Sequence, residues 1–505
     1  MLKLIRSFAL LVIFLTYSQA YADNVTQTPL ESNNYQSLPN SEQISGFLHD
    51  LTDKSSIAKM VTLGKSAGGR DIEAVLISQN PNENKITAML MGSQHATEES
   101  GAEALQMLVR DLLTTPQTEW LNHMNLVVIV NANPDGRDNN SRFNETNGNI
   151  NIDYVSLKED ETLVFVNALR QYQPHIIIDL HEASANKRIL TNEQGYVTNF
   201  ESQFDVNNNP NIAPPLNQFA NDVFLPEVMR ANTQMGVPAR HYQGEILQLN
   251  QPLSHAGLRL WNFRNFSAMN GSISVLVENR LDPRVGHYAT PENIKERTRK
   301  QKVSAQAFLE TASKFKDDIL KVTKQARDSH EKSVLLRHER VEDKQKPFVT
   351  IELINVKTGK KELHKFPNFA QVKNSIPLTL PQAYLITAEQ ERFAKLFDRH
   401  DLSYETISTP RSVDVVQSKI TTIELLPHLV GETNTVAVNT EEKEIKMNAK
   451  PGDLWILLDQ PMGRLIPILL EPRSSDSIFQ EVDYRPLLLR TKPFFIFRTS
   501  QLLSE

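Results

Sequence analysis

Five short runs of the chain are almost continuously apolar: IEAVLIS (72–78), ITAMLM (86–91), LVVIVNA (126–132), HIIIDL (175–180) and ISVLVE (273–278). They are rich in β-branched residues and do not alternate between apolar and polar. A strand with one wet face alternates, whereas a strand covered on both faces does not. Between the runs lie stretches of helical spacing, GAEALQMLVRDLL (101–113) and TRKQKVSAQAFLETASKF (298–315). Strands of this kind interleaved with helices predict an α/β domain over residues 23–325, with helices on both faces of a mixed, largely parallel sheet.

Residues 326–347 (ARDSHEKSVLLRHERVEDKQKP) are dense in charge and read as a linker or a solvated helix end. After them the texture changes. FVTIELINV (348–356), AYLIT (383–387), ITTIELL (420–426), TVAVN (435–439) and DLWILLD (453–459) are short strand runs separated by turn residues. One helical segment, Ala388–Arg399, interrupts them. Residues 348–505 are therefore expected to form a smaller β-rich domain.

The first 22 residues have their own pattern. Lys3 and Arg6 precede the apolar stretch Phe8–Leu15, which is followed by Ala20-Tyr21-Ala22. This is the order of a secretory signal peptide with its cleavage site. The apolar stretch is far shorter than the roughly 20 residues needed to span a bilayer, and no later segment is long enough. The expectation is an exported protein, periplasmic or extracellular, without stable membrane insertion. Its 505 residues carry a net charge of −6 with no basic block, which argues against a nucleic-acid partner. With no cysteine in the chain, a metal site must use His, Asp and Glu, and a thiol nucleophile is excluded.

Four of the apolar runs end in reactive residues. ITAMLM leads to His95 and Glu98, LVVIVNA to NPDGR (133–137), HIIIDL to His181, and ISVLV to Glu278. In open α/β sheets the ligand crevice lies outside the carboxyl ends of the strands. Residues three apart, as His95 and Glu98 are, meet on a helical turn. With His181 they form a His2Glu set, which with an open fourth position is a catalytic zinc arrangement. An isolated H-x-x-E carries little weight, because short motifs arise by chance.

The ordered set LGKSAGGRDI (63–72), GSQHATEESGAEAL (92–105), NPDGR, IIIDLH (176–181) and VLVENR (275–280) resembles the zinc metallocarboxypeptidases related to carboxypeptidase A. The resemblance covers roughly Tyr35 to Phe315. It implies an α/β/α sandwich, a peptide or peptide-like substrate, and one zinc ion held by His95, Glu98 and His181. Glu278 resembles the family's general acid/base, which takes a proton from the attacking water and passes it to the leaving amine. Arg142 resembles the arginine that stabilises the developing oxyanion, and Asn151 the asparagine that binds the substrate's terminal carboxylate. The stretch 450–477 is similar to tails appended to some bacterial members.

The chain also departs from the family. Ile152 follows Asn151 where the family has arginine, and an arginine fork is the natural clamp for a carboxylate. Arg264, in LRLWNFRNF (258–266), is the expected replacement, with Arg259 and Arg280 as further candidates. Tyr242 is the nearest match to the family's capping tyrosine, and the short spacing from Glu98 to His181 implies a trimmed loop. Without the clamp, a related zinc amidohydrolase that removes an acyl group or cleaves a cell-wall peptide amide is the alternative. A binding protein on a decayed peptidase fold is a third reading, opposed by the presence of Glu278. His175 reads as a satisfied edge histidine, and His330, His338 and His364 as surface residues. Strand alternation turns Glu182 away from His181. Glu99 suits a helix N-terminus, and Arg70 either lines an outer peptide subsite or pairs on the surface.

Overall fold

The computed structural model describes residues 26–80, 84–114, 119–426, 435–490 and 494–501. Segment 1–22, with its signal-peptide pattern, lies outside the described residues.

Nine strands fall in the first part of the chain: β1 (Ala58–Lys65), β2 (Asp71–Ile77), β3 (Ile86–Gly92), β4 (Met124–Ile129), β5 (Ile176–Ala183), β6 (Tyr196–Thr198), β7 (Ser202–Val206), β8 (Ala239–His241) and β9 (Ile273–Arg280). All but β6 join one sheet in the order β1-β2-β4-β3-β5-β9-β7-β8. Its centre, β4-β3-β5-β9, is parallel, and the flanking β1, β2 and β7 bring antiparallel pairings. The continuous apolar runs became β2, β3, β4, β5 and β9, because both of their faces are covered. Leu90, Val128, Ile178 and Val275 turn to one face, under the helices Ser41–Thr52, Ser100–Thr114 and Pro291–Lys314. Met89, Met91, Ile129 and Ile177 turn to the other and meet the helices Asp160–Tyr172 and Phe263–Met269.

That second layer does not end with the N-terminal part of the chain. The buried cluster runs on through Phe393 and Phe397 to Ile466, Leu469 and Phe479, all in the C-terminal third. The later strands are β10 (Ser333–Val341), β11 (Phe348–Asn355), β12 (Lys361–Pro367), β13 (Gln371–Thr379), β14 (Ala383–Ile386), β15 (Glu405–Thr406), β16 (Arg411–Leu426), β17 (Thr435–Ala449), β18 (Leu454–Leu457) and β19 (Ile496–Thr499). They form a β10-β13 pair, a three-stranded sheet and a six-stranded sheet β15-β18-β14-β19-β16-β17. The three-stranded sheet, β12-β11-β6, borrows β6 from the N-terminal part through the pairing Leu353↔Thr198.

The charged stretch 326–347 is not an open linker. It closes the helix Lys316–Arg327 and then forms β10, antiparallel to β13. Val334, Leu336 and His338 alternate into the interior and the charges between them face outward, which hid the strand behind its polar half. His338 is therefore a core residue rather than a surface one.

Candidate active site

The sequence places the reactive residues at strand ends, and the register shows which of them meet. His181 on β5 pairs directly with Glu278 on β9, and Gln203 on β7 faces Glu278 from the other side. Residues directly opposite on neighbouring strands share a face, so the His181 and Glu278 side chains stand together. His95 and Glu98 lie between β3 and the helix Ser100–Thr114. They are brought together by a turn in which the Glu98 N–H donates to the His95 carbonyl at 3.0 Å, not by a helical turn. Ser93 enters this loop at φ +61.

The three expected ligands converge. His95 Nδ1 lies 3.0 Å from Glu98 Oε1. His181 Nδ1 lies 2.9 Å from Glu98 Oε2 and 3.2 Å from His95 Nδ1. All three residues are buried, and they form the one cluster of potential metal donors among the described residues. Lone pairs facing one another at this range, out of water, repel unless a cation or a proton lies between them. The outer nitrogens face polar neighbours: His95 Nε2 meets Asn149 Oδ1 at 3.1 Å, and His181 Nε2 lies 2.9 Å from Asp179 Oδ2. An imidazole anchored through one nitrogen offers the other to a metal. Two imidazoles and a carboxylate fit zinc.

The electrostatics follow from burial. Burial opposes the charge on Glu98, yet the His95 and His181 rings hold its carboxyl well below the usual carboxylate range. For Glu278 burial outweighs such support. Burial pushes its carboxyl up to about 8, with His181 pulling down and Glu98 adding to the rise. Arg142, half exposed, sets Nη1 2.5 Å from Glu98 Oε1 at the rim of the cluster.

The remaining expected residues are placed unevenly. Asn151 lies in the short turn Ile150–Ile152, whose cap Asn149, rather than Asn151, holds His95. Arg264 is buried on the helix Phe263–Met269, with Nη2 donating to the Gly257 carbonyl at 2.6 Å and Nη1 4.0 Å from Asp205. Its Nε has no hydrogen-bond partner among the described residues. Arg280 donates to the Thr198 and Asp282 carbonyls, and Arg259 stacks on Trp261. Tyr242 stands near enough to Glu278 for the carboxylate to resist its ionisation, although burial is the larger cause. Arg70 is a pairing residue, bound to Asp135 at 2.6 Å and to Asp138 at 2.8 Å. The same Asp135 accepts from Ser66 and from the Gly68 N–H, which locks NPDGR to LGKSAGGRDI. A Cβ at Gly68 would fall 2.5 Å from that carboxylate, so only glycine fits.

Sequence reasoning missed Asp179, Asn149 and Arg297 among the supports. Asp179 sits two residues before His181, and strand alternation alone puts both on one face. Glu182 and Glu99, each next to a ligand, are joined by Arg297. Its Nε donates to Glu182 Oε1 at 2.8 Å, and its Nη2 to Glu182 Oε2 at 2.7 Å and Glu99 Oε2 at 2.6 Å. The Glu182 N–H in turn donates to Glu98 Oε2 at 3.0 Å. No local pattern signals Arg297, which comes from a helix more than a hundred residues away.

A buried His2Glu set at the carboxyl ends of parallel strands, with a carboxylate beside it, is the constellation of a zinc metallopeptidase. The family model of the zinc carboxypeptidases matches residues 44–150. Carboxypeptidase 2 of Trichophyton rubrum is 23% identical over 451 residues, covering 86% of this chain and 82% of that protein. The probable carboxypeptidase 2 of Arthroderma benhamiae is also 23% identical, over 452 residues, covering 86% and 84%. Both alignments reach well beyond residue 325. Among solved structures, a putative carboxypeptidase from Burkholderia mallei superposes with a TM-score of 0.44 at 18% identity, over 56% of this chain and 70% of that one. A metallo-carboxypeptidase from Pseudomonas aeruginosa gives 0.44 at 17%, over 56% and 71%.

Proposed function

We propose that this protein is an exported carboxypeptidase that hydrolyses the C-terminal peptide bond of peptide substrates, with one zinc ion on His95, Glu98 and His181. The observation that carries the reading is the register His181↔Glu278, which stands a carboxylate beside the metal donors. Zinc bound there supplies a Lewis acid that polarises a carbonyl and acidifies water. The chain's own residues do the rest. Glu278, whose carboxyl holds its proton more tightly than usual, takes a proton from the attacking water and delivers it to the leaving amine. A cation held by His95, Glu98 and His181 would offset the Glu98 charge, which adds to the effect of burial on this carboxyl. Arg142, at the rim, offsets charge developing on the carbonyl oxygen. Asn151 and Arg264 receive the substrate's terminal carboxylate, and Asp179 and Asn149 keep the imidazoles oriented. The signal-peptide pattern in residues 1–22 supports export.

The test is to incubate the zinc-loaded protein with peptides bearing free or amidated C-termini and read the products by mass. Release of single C-terminal residues from free termini alone supports the reading. Ile152, where the family's arginine would stand, favours one alternative, a zinc amidohydrolase. Equal cleavage of blocked and free termini would establish it.

A further inference from the structure

The catalytic row does not stop at Gln203. On β8, Arg240 pairs with Gln203, so His181, Glu278, Gln203 and Arg240 follow one another across four neighbouring strands on one face. The Arg240 side chain is half-buried and lies over the Phe200 ring at 5.5 Å. Nε reaches Gln203 Oε1 at 3.3 Å and Nη1 the Asn199 carbonyl at 3.4 Å, both long contacts to neutral oxygens. No carboxylate of the described residues pairs with it. Burial alone acts on it, pulling the guanidinium down to about 10. It lines a small concavity with Ala183, Thr198, Gln203 and Tyr242. The other cation there, Lys187, is already paired with Glu245 at 2.5 Å. The concavity therefore carries one surplus positive charge with unused donor capacity, next to a half-buried tyrosine that senses Glu278.

A half-buried guanidinium without a counter-ion gains strongly from an arriving carboxylate, which it can bind through two parallel N–H donors. Strands are about 4.8 Å apart, so Arg240 stands roughly 10 Å from Glu278. At about 3.5 Å per extended residue that is roughly three residues of chain, and an arginine and an acidic side chain reaching toward each other close most of the gap, so the carboxylate belongs to a side chain flanking the scissile bond. We propose that the Arg240 concavity is a specificity site for an acidic side chain, aspartate or glutamate, next to the bond that is cut. The inference rests on the peptidase reading and names its substrate class. Arg264, which lies 4.0 Å from Asp205, remains the partner for the terminal carboxylate.

The test uses the full zinc-loaded chain and peptides that differ only in Glu, Gln or Lys at the two positions flanking the scissile bond. Each is made with a free and with an amidated C-terminus. At one of those positions kcat/KM for Glu should exceed that for Gln by about ten- to hundredfold, the range expected for a charge-assisted hydrogen-bonded pair. Arg240→Gln should bring the Glu/Gln ratio close to one, Arg240→Lys should keep part of it, and Arg240→Glu should turn the preference toward Lys. The same ratio should appear in peptide affinities measured by calorimetry on Glu278→Gln. That readout separates the two ideas: no hydrolysis of any peptide, with a Glu preference in binding, would sink the peptidase reading and leave this site standing. Absence of a Glu preference in both turnover and binding overturns the site. An Arg240→Gln ratio equal to wild type does the same. So does a loss confined to free-terminus peptides whatever their side chain, which would make Arg240 the terminal-carboxylate clamp.

Discussion

Arg297→Met should damage stability and metal binding together, and the structure sets the scale. The guanidinium side chain is 4% exposed, and it bridges Glu182, fully buried at 0%, and Glu99 at 17%. Burial opposes the cation, but Glu182 and then Glu99 hold its protonated form well above the ordinary value. Methionine fills most of the volume and leaves the buried Glu182 carboxyl with the Ser100 N–H, at 3.2 Å, as its remaining hydrogen-bond donor. Breaking a buried pair by removing one partner costs about 3–5 kcal/mol, and the Glu182 contact should bear most of it. The effect reaches the donors because Gln301, from the same helix, fixes the His181 carbonyl at 2.7 Å and the Glu182 N–H fixes Glu98. Disturbing such supports typically weakens metal binding about 10- to 100-fold. Urea unfolding of the metal-free chain measures the first effect, and competition for zinc against a chromophoric chelator measures the second. Adding Glu182→Gln to Arg297→Met should recover part of the stability, since a neutral amide is cheaper to bury. A loss below about 1 kcal/mol, or a double variant no more stable than the single one, would refute the idea that paired buried charge holds these strands together.

Glu278→Gln should keep the fold and zinc but lower turnover about 10²–10⁴-fold; activity within a few-fold of wild type would reassign the base. His181→Ala should abolish tight zinc in metal analysis, and full retention would remove His181 from the donor set. Arg264→Ala should raise KM sharply for free-carboxylate substrates and leave amidated ones nearly unchanged. Stability should fall on acidification through His175, whose Nδ1 accepts the Thr87 N–H at 2.9 Å and cannot do so once protonated. Burial, then Arg327, pull this histidine from 6.5 to about 4. The unfolded chain thus binds the proton first, and up to about 3 kcal/mol is lost between pH 6.5 and 4. His175→Gln should flatten that part of a pH–stability profile, and an unchanged slope would contradict the assignment.

What could be read in advance was whatever is written locally. ITAMLM and HIIIDL announce two-faced burial by failing to alternate, and their parallel pairing follows from that. His95 with Glu98, and His181 at the end of its strand, were visible as residue types at strand ends. Register was not. Whether His181 meets Glu278 or slides past it by two residues is decided by packing over the whole sheet. Asp179 was legible in principle from alternation, whereas Asn149 and Arg297 were not, because their partners lie far away in sequence. Charge misled at β10, where the solvent face of SVLLRHERV outweighed Val334 and Leu336 in the reading. It hid Arg240 too, since β8 is only three residues long and has no pattern to recognise.

Asp476, near the end of the chain, is fixed at three points. Its Oδ1 accepts the Leu260 N–H at 2.8 Å, and its Oδ2 meets His338 at 2.9 Å and Asn209 at 3.0 Å. Asn209 in turn holds the Leu258 carbonyl at 2.7 Å, so the segment that leads into Arg264 is tied to a residue made more than two hundred positions later. A ribosome releases Asp476 only after the entire sheet and all three metal donors have emerged. The surroundings of Arg264 are thus completed only after the eight-stranded sheet has been made. Order of synthesis alone keeps these surroundings unfinished until residue 476 has been added, and a nascent chain stalled anywhere before it lacks them.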